Sequence, residues 1–105
     1  MTKWIDIVPV GEFKPNTSRS ITVDETEIAI FSLDDGFYAI EDACTHDYKT
    51  LSNGKIDGDQ VICPWHGARF DIKTGEALTA LAEESVATFP TRVENEMVQV
   101  AWTGE

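Results

Sequence analysis

At 105 residues, 42% hydrophobic and 26% charged, the chain has the composition of one small folded domain, with no repeat or low-complexity tract. Its net charge of −11 excludes a nucleic-acid binder, which needs clustered Lys and Arg, and no apolar run approaches the roughly 20 residues that cross a bilayer. The opening MTKWIDIVPV lacks the pattern of a secretory leader, so a cytoplasmic chain with two reduced cysteines is expected.

Short β-rich runs separated by turn residues follow one another along the chain. Trp4–Val8 and Ile21–Val23 are alternating or β-branched and read as strands. Glu27–Phe31 and Phe37–Ile40 flank Asp34-Asp35-Gly36 and read as a hairpin. Gln60–Cys63 and Ala68–Asp71 form a second pair, closed at its far end by the turn Lys73-Thr74-Gly75. A third is expected near the end, where Val86–Phe89 and Thr91–Val93 approach a turn at Glu94-Asn95-Glu96 and Met97–Trp102 returns with alternate apolar positions. Only Glu76 to Glu84 has any helical character, and it reads equally as loop. The class is mainly β, a sandwich or small barrel spanning 1–105, with residues 43–75 as an excursion rich in Gly, Asp and Lys.

Charge separates the excursion from the body. Residues 1–43 carry nine acids against three bases and residues 76–105 six against one, whereas residues 44–75 balance four against four. That neutral stretch holds every cysteine and histidine in the chain: Cys44-Thr45-His46 and, sixteen residues later, Cys63-Pro64-Trp65-His66. Thiolates donate charge to an iron–sulfur cluster, and imidazoles replacing two of them on one iron raise its potential. With one sulfur and one nitrogen on each loop, both cysteines can serve one iron and both histidines the other. A Cys₂His₂ zinc site competes on composition, but zinc pairs usually run C-x₂₋₄-C and H-x₃₋₅-H rather than one Cys and one His per loop. A Cys44–Cys63 disulfide is disfavoured by a reducing compartment.

The spacing C-x-H, sixteen residues, C-x-x-H resembles the Rieske iron–sulfur family. Leu51-Ser52-x-Gly54, Gly67-Ala68-Arg69-Phe70-Asp71, Thr74-Gly75-Glu76 and Phe89-Pro90-x-Arg92-Val93 agree with it. The chain is most similar to the small Rieske ferredoxins that feed bacterial ring-hydroxylating dioxygenases. The resemblance implies a Rieske-like β-sandwich with a small cluster-binding subdomain and one [2Fe–2S] cluster held by Cys44, His46, Cys63 and His66. It implies a monomeric one-electron carrier, not an enzyme, between a flavin-dependent ferredoxin reductase and a terminal oxygenase. The alternative is a Rieske-like small subunit of an assimilatory reductase such as nitrite reductase. A terminal oxygenase would need a second iron on a 2-His-1-carboxylate triad, and both histidines are already used.

Departures from the family pattern bear on potential. High-potential relatives carry a disulfide-forming cysteine where this chain has Lys49 and Trp65, and hydroxyl donors where it has Ala68 and Phe70. Hydrogen bonds to sulfur favour the reduced cluster, so their loss implies a potential near the bottom of the Rieske range, roughly −150 mV. Asp47, where many relatives have Gly, acts in the same direction if it is not screened. Thr79-Ala80-Leu81 lacks the proline that many relatives place in a loop covering the cluster. Trp65 reads equally as an apolar contact rim or as packing over the cluster, and Trp4 and Trp102 read as core or strand-edge residues.

Overall fold

Strand β3 (Thr26–Leu33) is buried from Ile28 to Leu33, because a continuous apolar run with period-2 side chains presents two apolar faces at once. Ile28 and Ile30 point into one apolar cluster, and Ala29, Phe31 and Leu33 into another. The rest of the fold is arranged to cover both. The structure, a computed structural model, describes residues 3–42, 54–63, 68–78 and 86–102.

The remaining strands are β1 (Lys3–Pro9), β2 (Thr17–Val23), β4 (Gly36–Glu41), β5 (Lys55–Asp57), β6 (Gln60–Ile62), β7 (Arg69–Asp71), β8 (Thr88–Phe89), β9 (Thr91–Glu94) and β10 (Met97–Trp102). They form three antiparallel sheets, β1-β10-β9, β2-β3-β4-β8 and β5-β6-β7. On one face of β3, Val8, Val98, Val100 and Trp102 of the first sheet pack on Ile28, Ile30 and Ala39. On the other, Val61, Cys63, Ala68, Phe70 and Ile72 pack on Phe31, Leu33 and Ile40. Burying a side chain such as Phe70 contributes about 2–3 kcal/mol, so the small sheet is held on chiefly by apolar burial.

Three of the strand pairs expected from sequence are present. β3 and β4 pair from Ile28–Glu41 to Leu33–Gly36 around Asp34-Asp35, and β6 and β7 pair through Val61–Phe70. β9 and β10 pair through Val98–Val93, while β8 crosses to β4 through Ala39–Phe89. Strand β5 and the β2–β3 hairpin were not expected. That hairpin turns on Asp24 (φ 48°) and Glu25 (φ 70°), and the β9–β10 turn on Asn95 (φ 52°) and Glu96 (φ 66°). Both are left-handed two-residue turns of the kind that match strand twist, here built without glycine. A register shift between Asp6 and Val8 in β1 lets the consecutive residues Ile7 and Val8 both meet the core.

The segment after β7 is fastened by main-chain bonds. The Asp71 carboxylate accepts from the N–H groups of Lys73 (2.8 Å) and Thr74 (3.2 Å), and the Gly75 N–H returns to the Asp71 carbonyl (2.7 Å). Ala77 bridges to Phe70 in extended form, so the described part of the tentative helical stretch Glu76–Glu84 is not helical, and residues 79–84 lie outside the described residues. The Leu78 N–H donates to the Arg69 carbonyl (2.9 Å) and that of Val86 to the Gly75 carbonyl (2.8 Å).

Candidate metal centre

Cys63 is 1% exposed, follows directly on β6 and shares the inward face with Val61. Its N–H donates to the Ala68 carbonyl at 2.7 Å, extending the β6–β7 ladder by one step beyond the Ile62–Arg69 pair. Cys63 and Ala68 are thereby held together on either side of residues 64–67, which include His66. The other candidate segment begins two residues after Asp42, and the chain re-enters the described structure at Gly54, just before β5. Cys44, His46 and His66 lie outside the described residues, as do Asp47, Lys49, Trp65 and Thr79-Ala80-Leu81. Of the four candidate ligands, the structure locates Cys63.

What surrounds Cys63 fits a thiolate ligand at a dry site. It is a free cysteine packed in the cluster of Ala29, Phe31, Val61, Ala68 and Phe70. A buried thiol is on its own an ordinary small core residue. Here it stands at the mouth of a hairpin whose connection carries an imidazole, in a chain with one further Cys-x-His, a donor set suited to a mixed thiolate–imidazole cluster. Ala68 and Phe70 are both fully buried, and neither side chain carries a hydroxyl to donate to a sulfur.

Two bases of the excursion, Arg69 and Lys73, make ion pairs. Arg69 Nη1 lies 3.0 Å from Asp57 Oδ2 and donates to Gln60 Oε1 at 3.1 Å. Lys73 Nζ lies 2.6 Å from Asp35 Oδ2 and 3.6 Å from Asp59 Oδ1, with the Tyr38 ring 5.4 Å away. It thus ties the β5–β6 turn to the β3–β4 turn, joining the small sheet to the body. The hydrogen bond to Lys73 holds the Asp35 carboxyl below its ordinary value, and the same bond raises the Lys73 ammonium.

Sequence reasoning missed the Lys73 ion pairs, the close approach of Gly75 to Val86 and the burial of Asp42. For Asp42 a signal existed, since it is an acid directly continuing an apolar strand into the Cys44 segment. Trp4 and Trp102 fit their expected roles as strand-edge and core residues. Trp102 is buried and its Nε1–H donates to Asp24 (2.9 Å), while Trp4 lies under the Arg92 guanidinium (4.2 Å to the ring centroid).

A family model described as the Rieske [2Fe–2S] domain matches residues 3–90. The ferredoxin component of the naphthalene 1,2-dioxygenase system of Pseudomonas aeruginosa is 34% identical over 98 residues, covering 93% of this chain and 94% of the relative. A solved complex of reduced oxygenase and oxidized ferredoxin in carbazole 1,9a-dioxygenase contains a chain 33% identical at a TM-score of 0.88, with 93% and 92% coverage. A Mycobacterium tuberculosis protein assigned as the small subunit of an NADH-dependent nitrite reductase shares the fold, with a TM-score of 0.88 at 22% identity, covering 100% of this chain and 99% of that one.

Proposed function

This chain belongs to the Rieske [2Fe–2S] domain family, and from that membership we propose that it is the ferredoxin component of a ring-hydroxylating oxygenase system. It would pass single electrons from a flavin-dependent reductase to a terminal oxygenase. The observation that carries this reading is likeness along almost the whole chain to ferredoxin components, at 33–34% identity. The nitrite reductase likeness, at 22% identity, is one of fold. We read 1–105 as one Rieske domain and the protein as a cytoplasmic monomer; among the described residues no helix is long and apolar enough to cross a membrane.

In this reading Cys44 and Cys63 are the thiolate ligands and His46 and His66 the imidazole ligands. When bound, the cluster takes up and gives back one electron. The protein's own residues do the rest. The β6–β7 ladder and the Cys63–Ala68 hydrogen bond fix Cys63, from which the segment carrying His66 continues. Phe31, Val61 and Phe70 keep water from the Cys63 sulfur. Ala68 and Phe70 give no hydroxyl donor, which keeps the potential low. His46, His66 and Trp65 make the near contact with partners, while the acidic segments 1–43 and 76–105 orient their approach.

The test is reconstitution of the purified chain with a flavin-dependent reductase and a ring-hydroxylating oxygenase. The reading expects an isolated monomer that cycles one electron, with turnover depending on the chain and falling as ionic strength rises. A chain recovered only in a stable large reductase assembly, and unable to support the oxygenase, would favour the nitrite reductase reading.

A further inference from the structure

Buried polar side chains among the described residues are two, Ser32 and Asp42, and Asp42 is the ionisable one, at 1% exposure. It follows β4 immediately, on the same strand face as Ile40, so its carboxylate enters the layer between the four-stranded and small sheets. Its N–H donates to the Glu27 carbonyl at 2.8 Å. The Ser20 hydroxyl donates to Asp42 Oδ2 at 2.7 Å.

The second bond reaches across a whole strand. Ser20 stands on β2 opposite Ala29 of β3, and Asp42 continues β4 on the far side. The two side chains meet over β3 beside Ala29, whose methyl group leaves the passage open. Burying a carboxylate is unfavourable unless it is hydrogen-bonded, so a solvated residue would serve better if the chain merely had to turn here. The fold instead clamps this carboxylate where the chain leaves the sheet, two residues before Cys44. The segment that carries Cys44 therefore starts from a clamped residue.

We propose that Asp42, held by Ser20 and the Glu27 carbonyl, is a positioning residue for the cluster, fixing the first ligand segment and placing a carboxylate that holds the reduction potential down. The inference rests on Cys44 and His46 being ligands, as proposed above. A negative group two residues along the chain from a ligand of a centre that becomes more negative on reduction disfavours the reduced state, so the clamp would work on electron affinity as well as on placement.

The experiment uses the intact holoprotein and the variants Asp42→Asn, Ser20→Ala and, as a control on the same strand, Thr22→Ala. Midpoint potential, the EPR signal of the reduced cluster, the rate of cluster loss to a chelator and thermal unfolding are measured for each. Asp42→Asn keeps the shape and the hydrogen-bonding capacity, and is expected to move the potential upward with the mixed His/Cys signal retained. Ser20→Ala removes one hydrogen bond to the carboxylate, and is expected to alter the EPR line shape and speed cluster loss roughly fivefold, the factor one hydrogen bond is worth. Thr22→Ala should match wild type in both. Unchanged potential, EPR and loss rate in Asp42→Asn and Ser20→Ala, even with lowered unfolding temperatures, would overturn the inference. Should Asp42→Asn fail to fold, Ser20→Ala decides alone, because Ser20 is exposed on an edge strand. A wild-type protein without a mixed His/Cys signal would overturn the ligand reading and this inference together, an outcome distinct from identical variants on an intact signal.

Discussion

Gly75→Ala should be among the most damaging single-methyl changes in this protein. Gly75 sits at φ +76°, and an added Cβ would lie 2.2 Å from the Val86 carbonyl oxygen and 3.2 Å from Thr88 Cγ2. Relief requires the Val86 segment to retreat by about 1 Å, far enough to break the bond of 2.8 Å between the Val86 N–H and the Gly75 carbonyl. The left-handed backbone costs alanine about 1 kcal/mol. A lost hydrogen bond with a buried partner left unsatisfied adds about 1–3 kcal/mol, and the stiffer unfolded chain returns roughly 0.5 kcal/mol. The net loss of about 2–3 kcal/mol is a large share of the 5–15 kcal/mol typical of a domain, and should lower the unfolding midpoint by roughly 10–20 °C. Gly58→Ala supplies the comparison, since Gly58 has φ +62° but nothing within 4 Å of its added Cβ, leaving about 1 kcal/mol of backbone cost. Thermal unfolding by circular dichroism, followed beside the visible absorption of the cluster, measures both. Equal losses from the two variants would refute the close-approach argument.

Three further changes test other links. Introducing hydroxyls by Ala68→Ser with Phe70→Tyr should raise the reduction potential by roughly 40–60 mV per hydrogen bond gained, taking about 1–1.5 kcal/mol for each and 59 mV per tenfold for one electron; voltammetry checks it. Glu96→Gly relieves a left-handed position at φ 66° and should stabilise the fold by about 0.5–1 kcal/mol in a denaturant titration. Lys73→Ala should lower the unfolding temperature at neutral pH and low salt, and less so in high salt. Asp35, held below its ordinary 3.8, contributes stability present above that value and lost as pH falls through its lowered pKa. Lys73, raised above 10.5, contributes below that value and loses it as pH rises through the raised pKa, so the Lys73→Ala difference should fade at both extremes.

Much of this architecture was legible before any coordinates. Asp34-Asp35-Gly36 between two apolar runs is strong local turn chemistry, and the hairpin of β3 and β4 follows from it. The unbroken run Ile28-Ala29-Ile30-Phe31 announced a strand without saying that it would be covered on both sides, since that depends on which distant sheets meet it. The turns at Asp24-Glu25 and Asn95-Glu96 lack the glycine that usually marks such turns, and strand pairing on either side imposes the backbone that propensity disfavours. Strand β5, three residues long, carries no periodicity to read and exists through its pairing with β6. At the site, the paired Cys-x-His and Cys-x-x-His spacing singled out Cys44, His46, Cys63 and His66, of which Cys63 lies among the described residues, buried just after β6. The contacts of Lys73 and Asp42 could not be read from the sequence because their partners, Asp35 and Ser20, are distant in it.

The central claim is the mixed ligand set of Cys44, His46, Cys63 and His66, and absorption with EPR of the purified, chemically reduced protein tests it most directly. The account predicts two irons per chain and a one-electron [2Fe–2S] signal of the His/Cys type, lost when any of the four residues is replaced. A chain that binds one zinc, or an iron–sulfur signal that survives replacement of either histidine, would contradict it.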